Sequence, residues 1–484
     1  MKIGKKILWV CLALVAAVAI LIVGLQSFYK LTPSVLSPEA VQLNERAALL
    51  PTVTENGYRL YGMLAPKNVD PVRYGRCLLD ANHVQSVERQ TLVKTMPNPD
   101  DKAAYDAYWK KFSDRSTERV VGCLEGGTRV EMPKALPALR IKLGMDFEQW
   151  QALAAVAVDP LIVARAEAVW AGDARRLGVA PDAPIGPFQD LLQLERWRTA
   201  CAVQAWHSGE RMPAIAAWSR SINDWVKTAD DTLIDAVIST ASLSQILIGV
   251  QAAIARSERV DDATADAAIA ALAPLEMMPK AIGDTMLVEW QSTSDLVKSM
   301  PALPSHFFLP SSEMPGLFAR ALDNVGRLTY EVDDTLNYMA RDRHHAEFAV
   351  IAAAQGKPVP ALQLQKLTPF CAGLGAWEYL CLPFTRNPSG RLVALVAVPS
   401  YEEYGVRVAD LRNLAAATRL SIEARRRALS GETFASFIAN PPIGMRDVIT
   451  DKPFAYDADA KALRVELRTK SPILGDKGIY SLQL

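Results

Sequence analysis

The chain has no excess of charge of either sign, since 53 Lys and Arg residues balance 53 Asp and Glu residues among 484. It has no long run of like charge either, and we interpret the Arg425-Arg426-Arg427 triplet as the solvated face of a helix. Proteins that bind nucleic acids or other polyanions usually carry a basic patch. The composition therefore predicts no nucleic-acid partner.

The sequence also lacks the common catalytic and cofactor-binding motifs. It contains no GxSxG, no P-loop, no complete GxGxxG, no HExxH and no EF-hand loop. The Ser27-Phe28-Tyr29-Lys30 segment fits the SxxK pattern, but the partner motifs of that pattern are missing. The sequence therefore predicts no cofactor and no metal ion, and it favours a non-enzymatic role over an enzyme.

Two groups of polar residues lie near each other on one predicted helix. His344, His345 and Glu347 contain potential metal ligands, but adjacent histidines point to different sides of a helix, so an exposed helix is favoured. The second group is acidic and consists of Glu331, Asp333 and Asp334. Helix N-capping explains these residues more simply than paired-carboxylate catalysis does.

The N-terminus contains one long apolar run, from Ile7 to Leu25. Its length of about 19 residues is roughly what a helix needs to cross the hydrocarbon core of a bilayer. Lys2, Lys5 and Lys6 precede it, and positive charges favour the cytoplasmic side. The sequence therefore predicts a single-pass protein of a bacterial inner membrane, anchored through residues 7–25, with most of the chain in the periplasm.

A cleaved signal peptide is the alternative interpretation, because basic, apolar and small-residue regions follow one another in both kinds of segment. The best cleavage pattern, Ala17-Val18-Ala19, lies inside the run and is followed by further apolar residues, Ile20 to Val23. The run is also longer than a usual signal-peptide core. An uncleaved anchor is therefore favoured.

Cysteine is scarce, with six residues in the chain, and none forms a CxxC pair. Neither a thioredoxin-like redox centre nor a zinc ribbon is predicted. Cys11 belongs to the apolar run, and we expect Cys201, in an apolar helix, to be a buried and unreactive thiol. In an oxidising periplasm two disulfides are candidates, Cys371 with Cys381 and Cys77 with Cys123.

Apolar periodicity, prolines and glycines predict six segments. These are a cytoplasmic stub and transmembrane anchor (1–30), a linker (31–55), an irregular N-terminal section (56–145), a helical domain (146–275), a second helical section (276–430) and a C-terminal tail with a β-hairpin (431–484). Helices are predicted at 147–158, 161–171, 188–206, 213–226, 232–256 and 261–272. The predicted fold class is mainly α, with an N-terminal transmembrane helix, a body of helical hairpins and a small C-terminal β-hairpin.

One stretch of the helical domain resembles a tetratricopeptide-repeat hairpin, with Gly209 at the turn between two helices. Its small and bulky packing positions are Ala202, Ala205, Trp206, Ala214, Ile215, Trp218, Ser221 and Ile222. No second copy follows at a spacing of about 34 residues, and a solenoid needs about three copies. An ordinary antiparallel helix pair is therefore favoured over a repeat array.

A loop in the second helical section has the composition of a contact surface. Between Pro301 and Pro310 it combines three prolines with two adjacent phenylalanines. We predict that Phe307 and Phe308 pack onto a partner surface, which is either another part of the chain or another protein.

Several short motifs together resemble a family of uncharacterised, membrane-anchored proteins of proteobacteria. They are Asn56-Gly57-Tyr58 with Leu60 and Gly62, Leu64-Ala65-Pro66, Asp70-Pro71 and Gly75, Thr335-Leu336-Asn337, Asn387-Pro388-x-Gly390 with Tyr401 and Tyr404, and Pro453-Phe454-x-Tyr456. The resemblance spans most of the chain after the anchor and implies a mostly helical periplasmic body. It implies no activity and no catalytic residues. The chain departs from the family pattern at Asp451-Lys452-Pro453, where a glycine is expected before the basic residue.

Three classes of function follow. The leading prediction is a non-enzymatic scaffold or partner-binding module of the cell envelope, with a protein partner. One alternative is a periplasmic hydrolase acting on cell-wall or lipid material, with a site assembled from distant residues such as Glu331, Asp333, His306 and His344. The other is an immunity or regulatory protein that sequesters a toxic partner.

Overall fold

A computed structural model describes residues 17, 18, 20–50, 54–93, 102–111, 123, 136–142, 144–172, 187–299, 329–359, 384–397, 401–429, 431–469 and 478–483. Within these residues the protein is mainly helical, with one small antiparallel sheet near the C-terminal end. The mainly helical fold predicted from the sequence is therefore confirmed.

The helices of the N-terminal part are α1 (Ile20–Leu31), α2 (Pro38–Ala48), α3 (Glu55–Tyr61), α4 (Pro71–Val93), α5 (102–111), α6 (Phe147–Ala154) and α7 (Pro160–Ala171). Capping sets several of their starts. Asp159 accepts a hydrogen bond from the Leu161 backbone N–H at 3.0 Å, and Pro160 occupies the first turn of α7. This is the N-terminal signal that the sequence shows for α7.

The segment 31–55, predicted as a linker, contains a helix. The Ser37 side chain accepts a hydrogen bond from the Ala40 backbone N–H at 3.2 Å, and Pro38 follows in the first turn of α2. Serine and proline are common in linkers, but they are also favoured at helix N-termini. Ser37 and Pro38 therefore start a helix here. Ala40 is buried in the same apolar cluster as Trp290, so α2 belongs to the folded body.

The middle of the chain folds into α8 (Phe188–His207), α9 (Arg211–Thr228), α10 (Leu233–Ala255), α11 (Asp262–Ala271) and α12 (Met278–Ser299), with a 3-10 turn at Ala273–Met277. α8 and α9 form an antiparallel hairpin that turns at Gly209, whose φ is +88°. The rings of Trp206 and Trp218 lie 5.5 Å apart between the two helices. The predicted helix pair is present, with ends within about two residues of the predicted ones.

α10 is the centre of the larger apolar core. It contacts α8, α9, α12 and the helix at 402–426. Its 18-residue window has a mean hydropathy of 1.7, and 72% of that window is buried in the protein. Gln251, itself buried, donates a hydrogen bond to Thr418 Oγ1 at 2.7 Å. A helix enclosed by protein is apolar on all sides, so burial explains the hydropathy of α10.

The remaining helices are α13 (Val332–Ala354), α14 (Pro388–Ala397), α15 (Glu402–Arg426) and α16 (Gly431–Ala439). α13 contacts α2, α12, α14 and α15, which gives it neighbours along most of its circumference. A second apolar cluster forms where α2, α12, α13 and α14 meet, and it includes Trp290, Leu336 and Met339.

Two residues of the arginine triplet at the end of α15 bind neighbouring helices, contrary to the prediction of a solvated face, while Arg427 is exposed as predicted. Arg426 forms ion pairs with Asp262 at 2.9 Å and Asp266 at 2.7 Å. Arg425 Nη2 donates to the carbonyl of Ala255 at 2.8 Å. The two side chains thus close α10 and α11 onto the end of α15.

The sheet consists of β1 (Ala455–Asp457), β2 (Ala462–Glu466) and β3 (Ile479–Gln483), antiparallel in that order. The predicted hairpin is formed by β1 and β2, with Tyr456 opposite Leu463. β3 pairs on the other side of β2, with Tyr480 opposite Val465. The alternating residues Leu463 and Val465 are buried in the larger core, so the sheet is part of the same body as α10.

Cys77 and Cys123 are joined by a disulfide across 46 positions of sequence. The bond lies in a small apolar cluster with Ala65 and Tyr74. It therefore links α4 to a point well beyond it in the chain.

Candidate functional site

Three distant stretches meet beside the end of α1, and most of the residues singled out near residues 330 and 390 lie there. The stretches are residues 26–37, residues 329–337 at the start of α13, and residues 385–390 at the start of α14. We call this meeting point the N-terminal junction. It brings the acidic group, the Thr335-Leu336-Asn337 motif and the Asn387-Pro388-x-Gly390 motif into one site.

Asn387 is the centre of the junction. It is 1% exposed, and its φ of +49° lies in the left-handed region, which asparagine tolerates. Its Oδ1 accepts hydrogen bonds from the backbone N–H groups of Glu331 and Gly390, both at 3.0 Å. Its Nδ2 donates to the Glu331 carbonyl at 2.9 Å and to Thr335 Oγ1 at 2.8 Å. One amide thus joins the start of α13 to the first turn of α14.

Gly390 is required by this close approach. A Cβ at this position would lie 2.0 Å from Thr335 Oγ1 and 2.2 Å from Asn387 Nδ2, far inside van der Waals contact. Thr335 completes the arrangement because its hydroxyl also donates to the Glu331 carbonyl at 2.7 Å. The turn motif and the threonine are therefore explained by one packed polar cluster.

Glu331 occupies the N-cap position of α13, but its side chain makes no capping hydrogen bond. Its Oε2 instead accepts from Arg386 Nε at 3.0 Å and Nη2 at 2.8 Å. Asp333 and Asp334 lie in the first turn, where negative charge favours a helix. N-capping is thus wrong for the Glu331 carboxylate, which binds a cation 55 positions away in sequence.

The junction holds the end of α1 directly. Gln26 Nε2 donates to the Thr385 carbonyl at 2.9 Å, and Lys30 Nζ donates to the Tyr330 carbonyl at 3.2 Å. Arg386 also donates to the Thr32 carbonyl. The last two turns of α1 are therefore tied to both other stretches of the junction.

Asn337 holds the chain between α1 and α2. Its Oδ1 accepts from the Ser37 backbone N–H at 2.6 Å, and its Nδ2 donates to the Val35 carbonyl at 2.7 Å and to Ser34 Oγ at 3.3 Å. The preceding residue, Leu336, is 1% exposed and lies in the second apolar cluster, where α2, α12, α13 and α14 meet. This segment is therefore fixed against α13 and does not act as a free tether.

A row of titratable groups, the titratable stripe, runs from the junction along one face of α13. It consists of Asp334, Tyr338, Asp342 and His345, spaced so that a helix places them on one side. Burial raises the pKa of Asp334, that of Tyr338 to about 12 and that of Asp342 to about 6. The guanidinium of Arg391 from α14 lies 5.2 Å from the Tyr338 ring and opposes the first two shifts.

One group of the stripe can change charge near neutral pH. This group is Asp342, because burial raises its pKa to about 6. The Nε2 atom of His345, one turn further, is buried and has no hydrogen-bond partner. Asp342 is only 8% exposed, so it does not reach a substrate in this conformation.

Arg343 lies on another face of α13 and is 1% exposed. Its guanidinium carbon lies 4.6 Å from the centre of the Tyr401 ring, and Nη2 donates to Thr293 Oγ1 at 3.2 Å. Nε and Nη1 are buried without hydrogen-bond partners. Stacking on an aromatic ring compensates part of the cost of burying this cation between α12, α13 and α15.

The other predicted groups of α13 have separate environments. His344 is exposed and His345 is half-buried, so the two imidazoles point to different sides as predicted. Glu347 accepts from both terminal nitrogens of Arg46 on α2, at 3.0 and 3.2 Å. Among the described residues no group of three or more His, Cys, Asp or Glu side chains could hold a metal ion.

α1 carries large apolar side chains that the body does not cover. Ile20 is 73% exposed and Val23 is 64% exposed, and both belong to the apolar run of the sequence. Water would meet these side chains in a soluble protein, whereas a bilayer would bury them. α1 is too short in the described residues to span a bilayer, and among those residues the only helix that meets the length and hydropathy criteria is α10.

Several predicted residues lie outside the described part of the chain, and what was predicted of them stays a prediction. They are residues 7–16 and 19 of the apolar run, His306, Phe307, Phe308, Cys371 and Cys381.

Sequence reasoning missed the partners that make the junction. Arg386 directly precedes the Asn387-Pro388 turn, yet nothing in its local sequence indicates that it binds Glu331. The stripe could have been found, because Asp334, Tyr338 and Asp342 recur at helical spacing.

Comparison of the chain with protein-family models, with curated proteins and with solved structures finds no match.

Proposed function

We propose that the protein is a single-pass inner-membrane protein whose helical body lies in the periplasm and serves as a non-enzymatic scaffold or partner-binding module of the envelope. The observation that carries the proposal is the direct attachment of an apolar helix to a folded body. The apolar side chains of α1 are exposed. Near the end of the helix, Gln26 and Lys30 donate hydrogen bonds to the other two stretches of the junction.

The geometry of the junction supports a scaffold because a fixed attachment sets where a binding surface lies. A flexible tether lets a domain sample many heights above a membrane. Here Asn337 holds residues 34–37, and α2 packs into the core immediately afterwards. The body would therefore present its surfaces at a constant height and orientation.

The chemistry of the acidic group also supports a structural role for the junction. Glu331 is engaged by Arg386, and its side chain is only 12% exposed. An acid held in such a pair stabilises the contact between α13 and the turn before α14. The disulfide between Cys77 and Cys123 is of the kind that persists in oxidising compartments such as the periplasm.

Topology is the first test of this proposal. We expect the full-length protein to stay in the membrane fraction after alkaline carbonate extraction. A phosphatase fused after residue 40 should be active, because it folds only in the periplasm. Release by carbonate, or an inactive phosphatase beside an active cytoplasmic reporter, would overturn the proposed anchoring.

Partner binding is tested with the tagged full-length protein, crosslinked in native membranes and analysed by mass spectrometry. We expect one stoichiometric envelope protein, with lower recovery for Asn337→Ala, which loses the contacts to residues 34–37. Asn223→Ala is the matched control, since Asn223 makes an exposed hydrogen bond within α9. Recovery of the protein alone, or equal recovery with both variants, would contradict a scaffold that depends on the junction.

A further inference from the structure

The protein exposes large apolar side chains beyond the end of the predicted membrane span. Phe28 is 60% exposed, and Leu31 is 81% exposed on the same side of α1 one turn later. Val35, in the segment held by Asn337, is 82% exposed. These three residues, which we call the membrane-proximal patch, follow the apolar run without interruption by a buried segment.

Distance along α1 places two residues of the patch, Phe28 and Leu31, close to a bilayer. The predicted span ends at Leu25, and a helix rises 1.5 Å per residue. Phe28 then lies about 4–5 Å and Leu31 about 9 Å beyond the hydrocarbon boundary, which is comparable to the depth of one headgroup layer. Helix tilt shortens both heights.

The folded body also lies close to the hydrocarbon boundary of the bilayer. Gln26 is the first residue after the predicted span, and its side chain binds the Thr385 carbonyl at 2.9 Å. The turn at 384–387 is therefore held within a few ångströms of the hydrocarbon boundary. Tyrosine is enriched at membrane–water interfaces, and Tyr29 lies in this region.

From these positions we infer that the membrane-proximal patch and the 384–387 turn lie in the headgroup layer of the bilayer, with Phe28, Leu31 and Val35 in contact with lipid. The inference rests on the proposed anchoring and adds a second, peripheral lipid contact made by the folded body. This lipid contact would stabilise the membrane attachment and fix the tilt of the body relative to the membrane.

The test uses the full chain in vesicles of phosphatidylethanolamine and phosphatidylglycerol. A photoreactive benzoyl-phenylalanine replaces one residue at a time, at Phe28 and Val35, and mass spectrometry measures lipid adducts after illumination. Ile20 inside the predicted span is the positive control. Ile443 is the matched negative control, since it is an apolar residue 99% exposed on the body.

We expect lipid adducts at positions 28 and 35 in yields similar to position 20, and none at position 443. Adducts at position 20 with none at position 35 would overturn the inference and leave the anchor intact. Adducts to another protein at position 35 would also overturn it, because the patch would then be a protein interface. Loss of lipid adducts at position 20 as well would refute the anchoring itself.

Discussion

Replacing Asn387 with alanine should loosen the N-terminal junction selectively. The backbone N–H groups of Glu331 and Gly390 lose their acceptor, while the Thr335 hydroxyl still donates a hydrogen bond to the Glu331 carbonyl. The buried Gly390 N–H, left without its acceptor, costs about 1–3 kcal/mol, and the part-buried Glu331 N–H costs about 1 kcal/mol, the lower end of that range. Alanine at a φ of +49° costs about 1 kcal/mol more. The expected local destabilisation is therefore about 3–5 kcal/mol.

Hydrogen exchange read by mass spectrometry measures this effect locally. A chain of this size with two main apolar clusters is not expected to unfold in one step, so a global midpoint is less informative. In Asn387→Ala, peptides containing Glu331 and Gly390 should exchange about a hundredfold to a few thousandfold faster. Peptides of the α8–α9 hairpin, which belongs to the other cluster, should be unchanged.

The Asn387→Gly variant separates the effect of the lost hydrogen bonds from the cost of the positive φ. Glycine removes the same four hydrogen bonds but tolerates the positive φ, so it should be less destabilising than alanine by about 1 kcal/mol. Unchanged exchange at Glu331 and Gly390 in the alanine variant would refute the role given to Asn387. A glycine variant worse than the alanine variant would refute the backbone argument alone.

Four further predictions concern single positions. Gly390→Ala should prevent the junction from closing, because its Cβ would clash with Thr335 and Asn387, and exchange in α13 should rise well above wild type. Burial raises the pKa of Asp342 from 3.8 to about 6, so the folded state binds this proton more tightly and stability is lost as pH rises from about 4 to 6. Asp342→Asn should therefore be more stable than wild type by about 2 kcal/mol at pH 7 and similar at pH 4, as hydrogen exchange of α13 peptides, compared between the two proteins at each pH, would show. Cys77→Ser should lower local stability around α4 by up to about 4 kcal/mol, the loop entropy of a closure spanning 46 positions, and non-reducing peptide mapping of the wild type should find Cys77 and Cys123 joined. The structure shows Cys201 half-buried and not fully buried as predicted. Partial burial raises its pKa to about 11, so alkylation at pH 8 should be much slower in the native protein than in urea, and equal rates would contradict this protection.

Helix ends were among the features that local sequence could predict. Asp159 with Pro160 is a capping signal that acts on the next few residues whatever the rest of the chain does. The same holds for β1 and β2, where Leu463 and Val465 alternate and Asp457 starts the turn. Such features depend on contacts within a few positions, which the sequence contains in full.

Ser37 and Pro38 show where local evidence becomes ambiguous. Both residues are common in linkers and at helix starts, and the choice depends on whether the following apolar residues find a core. Ala40 and its neighbours find one beside Trp290, about 250 positions later. The linker was therefore predicted where a packed helix exists.

Local sequence was enough to predict the helical class, several helix starts, the terminal hairpin and an apolar N-terminal run. Long-range packing was needed to show that α10, although apolar enough to cross a membrane, is enclosed by four other helices. It was also needed to show that Glu331 binds Arg386, that Asn387 joins α13 to α14, and that Thr385 and Tyr330 accept hydrogen bonds from Gln26 and Lys30 of α1. Capping and periodicity act over a few residues, whereas these hydrogen bonds join partners 55 to 359 positions apart, which no local pattern specifies.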